Sequence, residues 1–370
     1  MDSLRIGDKI AKLPIIQGGM GVGVSRCNLA GAVAGEGGIG IISTAQIGYD
    51  EEGFAADQAG CNLRAIRKHI ARAKEIACGN GLVGVNVMVA LKHYKEHVRE
   101  AAAAGADVVI SGAGLPFDLP ELVKGTQAKI APIVSTRRAA ELILKMWERK
   151  YQRTADFLVV EGPKAGGHLG FKADALADME QIDFDGEICG IIECKRSYEE
   201  KYHCRIPVVV AGGIYDGKDI AHVLALGAEG VQIASRFVAT EECDASDAYK
   251  QAYIHARKED IEIIKSPVGM PGRALRNAFV QRAANAKEPV KRCYNCLAKC
   301  NPKEVPYCIT KALVDAVQGD VENGLVFCGD NVDRIHSIVS VHELMTELVQ
   351  ETIAEQEKEI KKMCIQSKTA

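Results

Sequence analysis

IPVVVAGG (206–213) and EGVQIASRF (229–237) decide the reading of the fold. Each is a short apolar run, rich in valine or isoleucine, that ends in small residues. Runs without polar alternation suit strands of a parallel sheet covered on both faces. Gly-rich or Ala-Ser ends that open onto short helices present free N–H groups, which suits a phosphate. Ordinary β-α turns explain either end alone; the pair on neighbouring strands is the more specific signal.

The same grammar runs back through the chain. PIIQGG (14–19), GIGIIS (38–43), GLVGVNVMV (81–89), ADVVISGAG (106–114), KIAPIVST (129–136) and ADFLVVEG (155–162) are six more such runs. Between them lie small-residue or amphipathic stretches with helical spacing, including Asn62–Ile76 and the Arg-Arg-Ala-Ala segment from 137. Eight strands alternating with helices predict an α/β fold, a TIM (β/α)8 barrel rather than an open sheet. The barrel is expected over 1–240, with an insertion at about 171–204. A lid segment is expected over 241–290 and a Cys-containing helical extension over 291–370, so that 241–370 reads as helical and loop-rich.

Composition narrows the function. The 370 residues carry a formal net charge of −3, with a pI near 6.3 and 5% aromatics. Neither a nucleic acid nor an anionic membrane partner is expected from such a balance. No stretch approaches the roughly 20 apolar residues of a spanning helix, and the N-terminus lacks the marks of a secretory signal. Thirteen cysteines, an odd number, then read as thiols or metal ligands of a cytoplasmic protein.

The unusual residues fall where a barrel keeps its chemistry, at the C-terminal ends of the strands. QGGMGVG (17–23) lets a flat ring or phosphate approach the backbone, or simply makes a tight turn. Asn86 is a polar residue inside VGVNVMV, suited to the donors and acceptors of a flavin edge or to a neighbouring strand. Ser235 offers a hydroxyl and Ala234 a close approach. EGPKAGGHLG (161–170) sets His168 just beyond a strand end, where an imidazole can move a proton or orient a polar substrate group. Glu161 suits a ribityl hydroxyl, with an ion pair to Lys164 as the alternative.

PIIQGGMG, AGAVAGEGGIGIIS, VGVNVMV, VVEGPKAGGHLG, IPVVVAGGI, LGAEGVQIASRFVAT and SPVGMPGRALRN, in that order over about residues 10–280, resemble the nitronate monooxygenase family. That family also contains the FMN-dependent enoyl-acyl-carrier-protein reductases. The resemblance implies a TIM barrel with a smaller lid and non-covalent FMN. It implies Gly19 and Met20 beside the ring, Asn86 on its polar edge, and Glu161 and Gly167 along the ribityl chain. Gly212, Gly213, Ala234 and Ser235 would surround the phosphate, His168 would be catalytic, and Met270 with Gly272 would belong to the lid. Many relatives carry Gly-Thr-Arg-Phe where this chain has Ala234-Ser235-Arg236-Phe237, a change that keeps the hydroxyl and the close approach.

The leading expectation is oxidation of a small alkyl nitronate. The alternatives are NAD(P)H-dependent reduction of an enoyl thioester or a quinone, and an FMN-binding scaffold that acts through its Cys-bearing tail. Cys293, Cys296, Cys300 and Cys308, spaced C-x2-C-x3-C-x7-C, are candidate ligands for zinc or an iron–sulfur cluster, with Cys328 as an extra one. The spacing matches neither the common zinc-ribbon pairs nor the usual ferredoxin run, and reduced, partly buried thiols are the alternative.

Overall fold

A computed structural model describes the backbone of residues 1–369 and the side chains of residues 1–362. A hairpin of β1 (Leu4–Ile6) and β2 (Lys9–Ala11) precedes the barrel. The barrel strands are β3 (Ile15–Gln17), β4 (Ile39–Ser43), β5 (Leu82–Met88), β6 (Val108–Gly112), β7 (Lys129–Val134) and β8 (Leu158–Glu161). After the two-residue strand β9 (Gly167–His168) come β10 (Val208–Ala211) and β11 (Gly230–Ile233). β3 to β8, β10 and β11 close into one parallel barrel, β11 pairing with β3. All eight runs read from the sequence are therefore barrel strands.

Two apolar faces explain why the runs lack polar alternation. Ile39 and Ile41 of β4, Val108 and Ile110 of β6 and Val159 of β8 point into the barrel with Ile16, Phe157 and Val209. Their neighbours Ile42, Val109, Leu158 and Val160 face the helices outside. Leu4, Ile6 and Ala11 of the hairpin join the inner cluster and plug one end. The other end, where the strands finish, is left to the loops.

The stretch 171–204 holds a short helix, Ala173–Ala177, and the long helix Phe184–Tyr202. The latter is the crossover from β8 to β10 and pairs with the helix Arg137–Tyr151, for example through Lys201 and Glu148. Beyond β11, the expectation of helix and loop meets a correction. β12 (Ile261–Lys265) and β13 (Pro271–Leu275) form an antiparallel hairpin, and β9 pairs with the other edge of β13 through Gly272↔His168 and Arg273↔Gly167. Pro271 and Gly272 are poor strand residues in isolation, and the sheet depends on a partner far back in the chain. Residues 286–308 contain no helix or strand beyond a single bridge, Leu91↔Leu297. Helices Ile309–Val317 and Val341–Thr369 follow.

Candidate active site at the barrel mouth

A cavity of about 420 Å3 opens at the C-terminal ends of the strands, within the range of small-molecule and cofactor pockets. Eleven of the residues singled out from the sequence line it: Gly19, Met20, Asn86, Glu161, Gly167, His168, Gly212, Gly213, Ala234, Ser235 and Met270. Gly272 sits beside it, paired to His168.

The barrel side of the cavity is made of backbone. Gly19 follows β3 so tightly that a Cβ there would stand 2.4 Å from the Cβ of Asn86 on β5. No side chain fits between them, so the main chain at 19 packs directly on Asn86. Gly212 and Gly213 carry φ of +84° and +96°, and the short helix Ser235–Val238 starts directly after β11. Ser235 Oγ accepts from Gly329 N–H at 2.9 Å, which leaves its own proton to donate. Gln232, which the sequence reading passed over, lines the same side. Its Oε1 is buried without a hydrogen-bond partner among the described residues, an orphan acceptor. Glu161 forms no ion pair with Lys164 among the described residues; burial alone pushes its carboxyl up to about 8, so it stays protonated at neutral pH.

The opposite side is made of packed polar and aromatic side chains. His168 stands on β9, held by the hairpin rather than by the barrel. Its Nε2 lies 2.7 Å from Oγ of Ser266, a buried residue in the β12–β13 turn, and its ring meets Phe327 edge-on at 5.0 Å. The Ser266 hydroxyl also accepts from Val268 N–H at 3.3 Å. Donating its proton to Nε2 then leaves the imidazole hydrogen on Nδ1, a tautomer assigned from this network. Burial pushes the His168 pKa down to about 4, so the ring is neutral across the physiological range.

Arg273 fixes the loop that carries His168. Its guanidinium is 1% exposed and donates to the carbonyls of Pro163, at 2.9 Å, and Ala165. A Cβ at Gly166 would meet the carbonyl carbon of Cys328 at 2.6 Å, so the loop and the segment 327–331 are pressed together. That segment, Phe-Cys-Gly-Asp-Asn, is a strap over three strand ends. Asp330 N–H donates to Lys164 O, Asn331 Nδ2 to Gly213 O, and Gly329 N–H to Ser235. Ser266, Arg273, Gln232 and, apart from Cys328, the strap escaped the sequence reading. The motif SPVGMPGRALRN contains the first two and LGAEGVQIASRFVAT contains Gln232, but neither marked them out.

The cysteines divide. Cys328 is buried in the strap and lines the large cavity, its thiol pushed by burial up to about 12, so it does not join the other four. Cys293, Cys296, Cys300 and Cys308 line one separate small cavity. Burial pushes the Cys296 thiol up to about 11, with smaller upward contributions from Cys308 and Cys300. As they stand, no three His, Cys, Asp or Glu side chains among the described residues converge closely enough to hold an ion. No helix among the described residues is long and apolar enough to cross a membrane.

Comparison with known proteins agrees with this geometry. The family model described as nitronate monooxygenase matches residues 4–351. A nitronate monooxygenase of Paraburkholderia phytofirmans is 26% identical over 76% of this chain and 78% of its own length. A hydroxy-methyl-oxo-octahydroindene carboxyl-CoA dehydrogenase of Mycobacterium tuberculosis is 27% identical over 73% of this chain; the match spans 64% of that relative's length. Among solved structures, FabK from Thermotoga maritima superposes with a TM-score of 0.70 at 26% identity, covering 94% of each chain.

Proposed function

The chain belongs to the nitronate monooxygenase family of flavin-dependent oxidoreductases, and from that premise we propose that it oxidises small alkyl nitronates in the barrel-mouth cavity with FMN as its cofactor. The residues suit FMN. Gly19 and Met20 line the cavity, where main chain bare of a side chain at 19 suits a flat ring. Asn86 and the orphan acceptor of Gln232 supply polar partners for its edge. Gly212, Gly213, Ala234 and the free proton of Ser235 suit the phosphate, at a helix start joined to glycines of left-handed φ. Glu161, kept protonated by burial, can donate to as well as accept from a ribityl hydroxyl. The bound flavin supplies the redox chemistry, which no side chain here provides.

The observation that carries the nitronate reading is His168. A neutral imidazole with Nε2 engaged by Ser266 keeps Nδ1–H free to donate, and His168 lines the cavity. An anionic nitronate oxygen is a strong acceptor, and in a water-poor cavity the charge-assisted bond is worth more than in bulk water. Phe327 and Met270 exclude water on that side and favour a small organic substrate.

A second reading, reduction of an enoyl thioester with NAD(P)H, is supported by the likeness to a carboxyl-CoA dehydrogenase. Anaerobic mixing of the FMN-loaded protein with an alkyl nitronate, with NADH and with NADPH separates the two. Bleaching of the flavin absorbance by nitronate and not by either nucleotide is the expected result. Bleaching by a nucleotide alone, followed by turnover of an enoyl thioester, overturns the proposal.

A further inference from the structure

Residues 286–308 run for more than twenty positions without regular structure, and only Leu297 and Tyr307 among them are buried apolar side chains. Loops longer than about 12–15 residues with no structure of their own are uncommon unless something local holds them. Two backbone hydrogen bonds attach this segment to the loop after β5: Lys92 N–H donates to Cys296 O and Ala298 N–H to Ala90 O, each at 3.0 Å. At the far end, Cys308 is the N-cap of the nine-residue helix Ile309–Val317, where backbone N–H groups have no helical partner.

The four cysteines of this segment line one cavity of about 30 Å3, with Val290, Leu297, Val305 and Ile309 among its other wall residues. A space of that size admits roughly two water-sized bodies, enough for a single ion. Sulfur acceptors are already in use, since Asn295 N–H donates to Cys293 Sγ at 3.3 Å, and such amides stabilise thiolates. Lys287, Lys291, Arg292, Lys299 and Lys303 surround the cysteines in sequence against Glu288 and Glu304, a surplus of positive charge where four thiolates and a divalent ion would leave −2.

We propose that Cys293, Cys296, Cys300 and Cys308 bind a single zinc ion as four thiolates, closing residues 286–308 into a knuckle against the barrel mouth. Binding converts four thiols to thiolates with release of their protons, and rotation of the side chains about Cα–Cβ draws the sulfurs onto the metal. The site also reaches the large cavity. Cys308 and Ile309 line the small cavity and Leu313 the large one, on a helix rising about 1.5 Å per residue. The ion therefore sets the position of one wall of the active-site cavity.

The test is elemental analysis of the full chain, purified without chelator, together with trypsin digestion, because Lys291, Arg292, Lys299 and Lys303 all lie inside the knuckle. About one zinc per chain is expected, as in structural four-cysteine sites. Cleavage after these residues should appear only once the metal is displaced by an organomercurial. In Cys296→Ser/Cys300→Ser the zinc should vanish while flavin absorbance persists, showing the barrel intact. Wild-type protein without zinc and with four freely titrating thiols overturns the proposal. So does iron with matching acid-labile sulfide, or zinc kept in full by the double variant; the wild-type metal content decides even where the variant fails to fold.

Discussion

The two sides of the large cavity are built by opposite means. The barrel side works by subtraction: Gly19, Gly212, Gly213 and Ala234 carry little or no side chain, so main chain lines the cavity. The hairpin side works by addition, with His168, Ser266, Phe327 and Arg273 packed so that one imidazole has one orientation and one charge state. The difference teaches a division of labour. Backbone that belongs to eight paired strands is rigid and suits tight binding. A histidine set on a separate three-stranded sheet can be tuned by its neighbours without disturbing the cofactor's seat.

The largest effect should come from breaking the subtractive side. Gly19→Val places a branched side chain where even a Cβ stands 2.4 Å from Asn86, and the purified protein should be colourless and inactive. A normal flavin-to-protein absorbance ratio would show that the two sides are not divided this way. Next, His168→Ala should keep its flavin but lose about 10²–10³-fold in kcat, the usual scale for removing a donor aimed at an anionic oxygen. Loss of flavin together with rate would instead make the histidine part of the seat.

Ser266→Ala sharpens the comparison within the hairpin side. It removes the partner of Nε2, and a fall in kcat of about tenfold is expected, the scale of one hydrogen bond of about 1.4 kcal/mol. The pH profile should change with it, which a merely structural role for Ser266 would not produce. The smallest effect concerns Glu161, whose folded pKa is raised to about 8 from 4.5. A raised carboxyl contributes most below pH 4.5, and its contribution is lost progressively as pH rises toward 8. In flavin-free protein, Glu161→Gln should therefore melt close to wild type at pH 4.5 and gain on it steadily up to pH 8. Parallel melting curves across that range would mean that Glu161 is not held protonated.

The barrel side was legible in the sequence because its physics is local. A buried parallel strand must be apolar on both faces, and its end must turn sharply, so eight Val/Ile runs with small-residue or polar endings announce both fold and binding surface. The hairpin side was half legible. His168 stood out beside Gly166 and Gly167, but its partners did not. Ser266 and Arg273 reach the His168 loop from about a hundred residues away, and a two-residue strand such as β9 has no periodicity to read. The strap at 327–331 is a loop whose meaning lies in three hydrogen bonds to strand ends from across the chain. Gln232 was hidden differently: a glutamine in a strand is recognisable as an orphan only when its surroundings are known.

The pairing of His168 with Gly272 has a consequence for how the protein is made. Synthesis at about 5–20 residues per second leaves an interval of roughly 5–20 s between the two residues. During that time β10 and β11 emerge and the barrel strands are complete, while His168 has neither its strand partner nor Ser266. A chain still being synthesised thus has all eight barrel strands before it has the residues that aim the imidazole. Chemistry is withheld until the last third of the polypeptide has arrived to aim the imidazole.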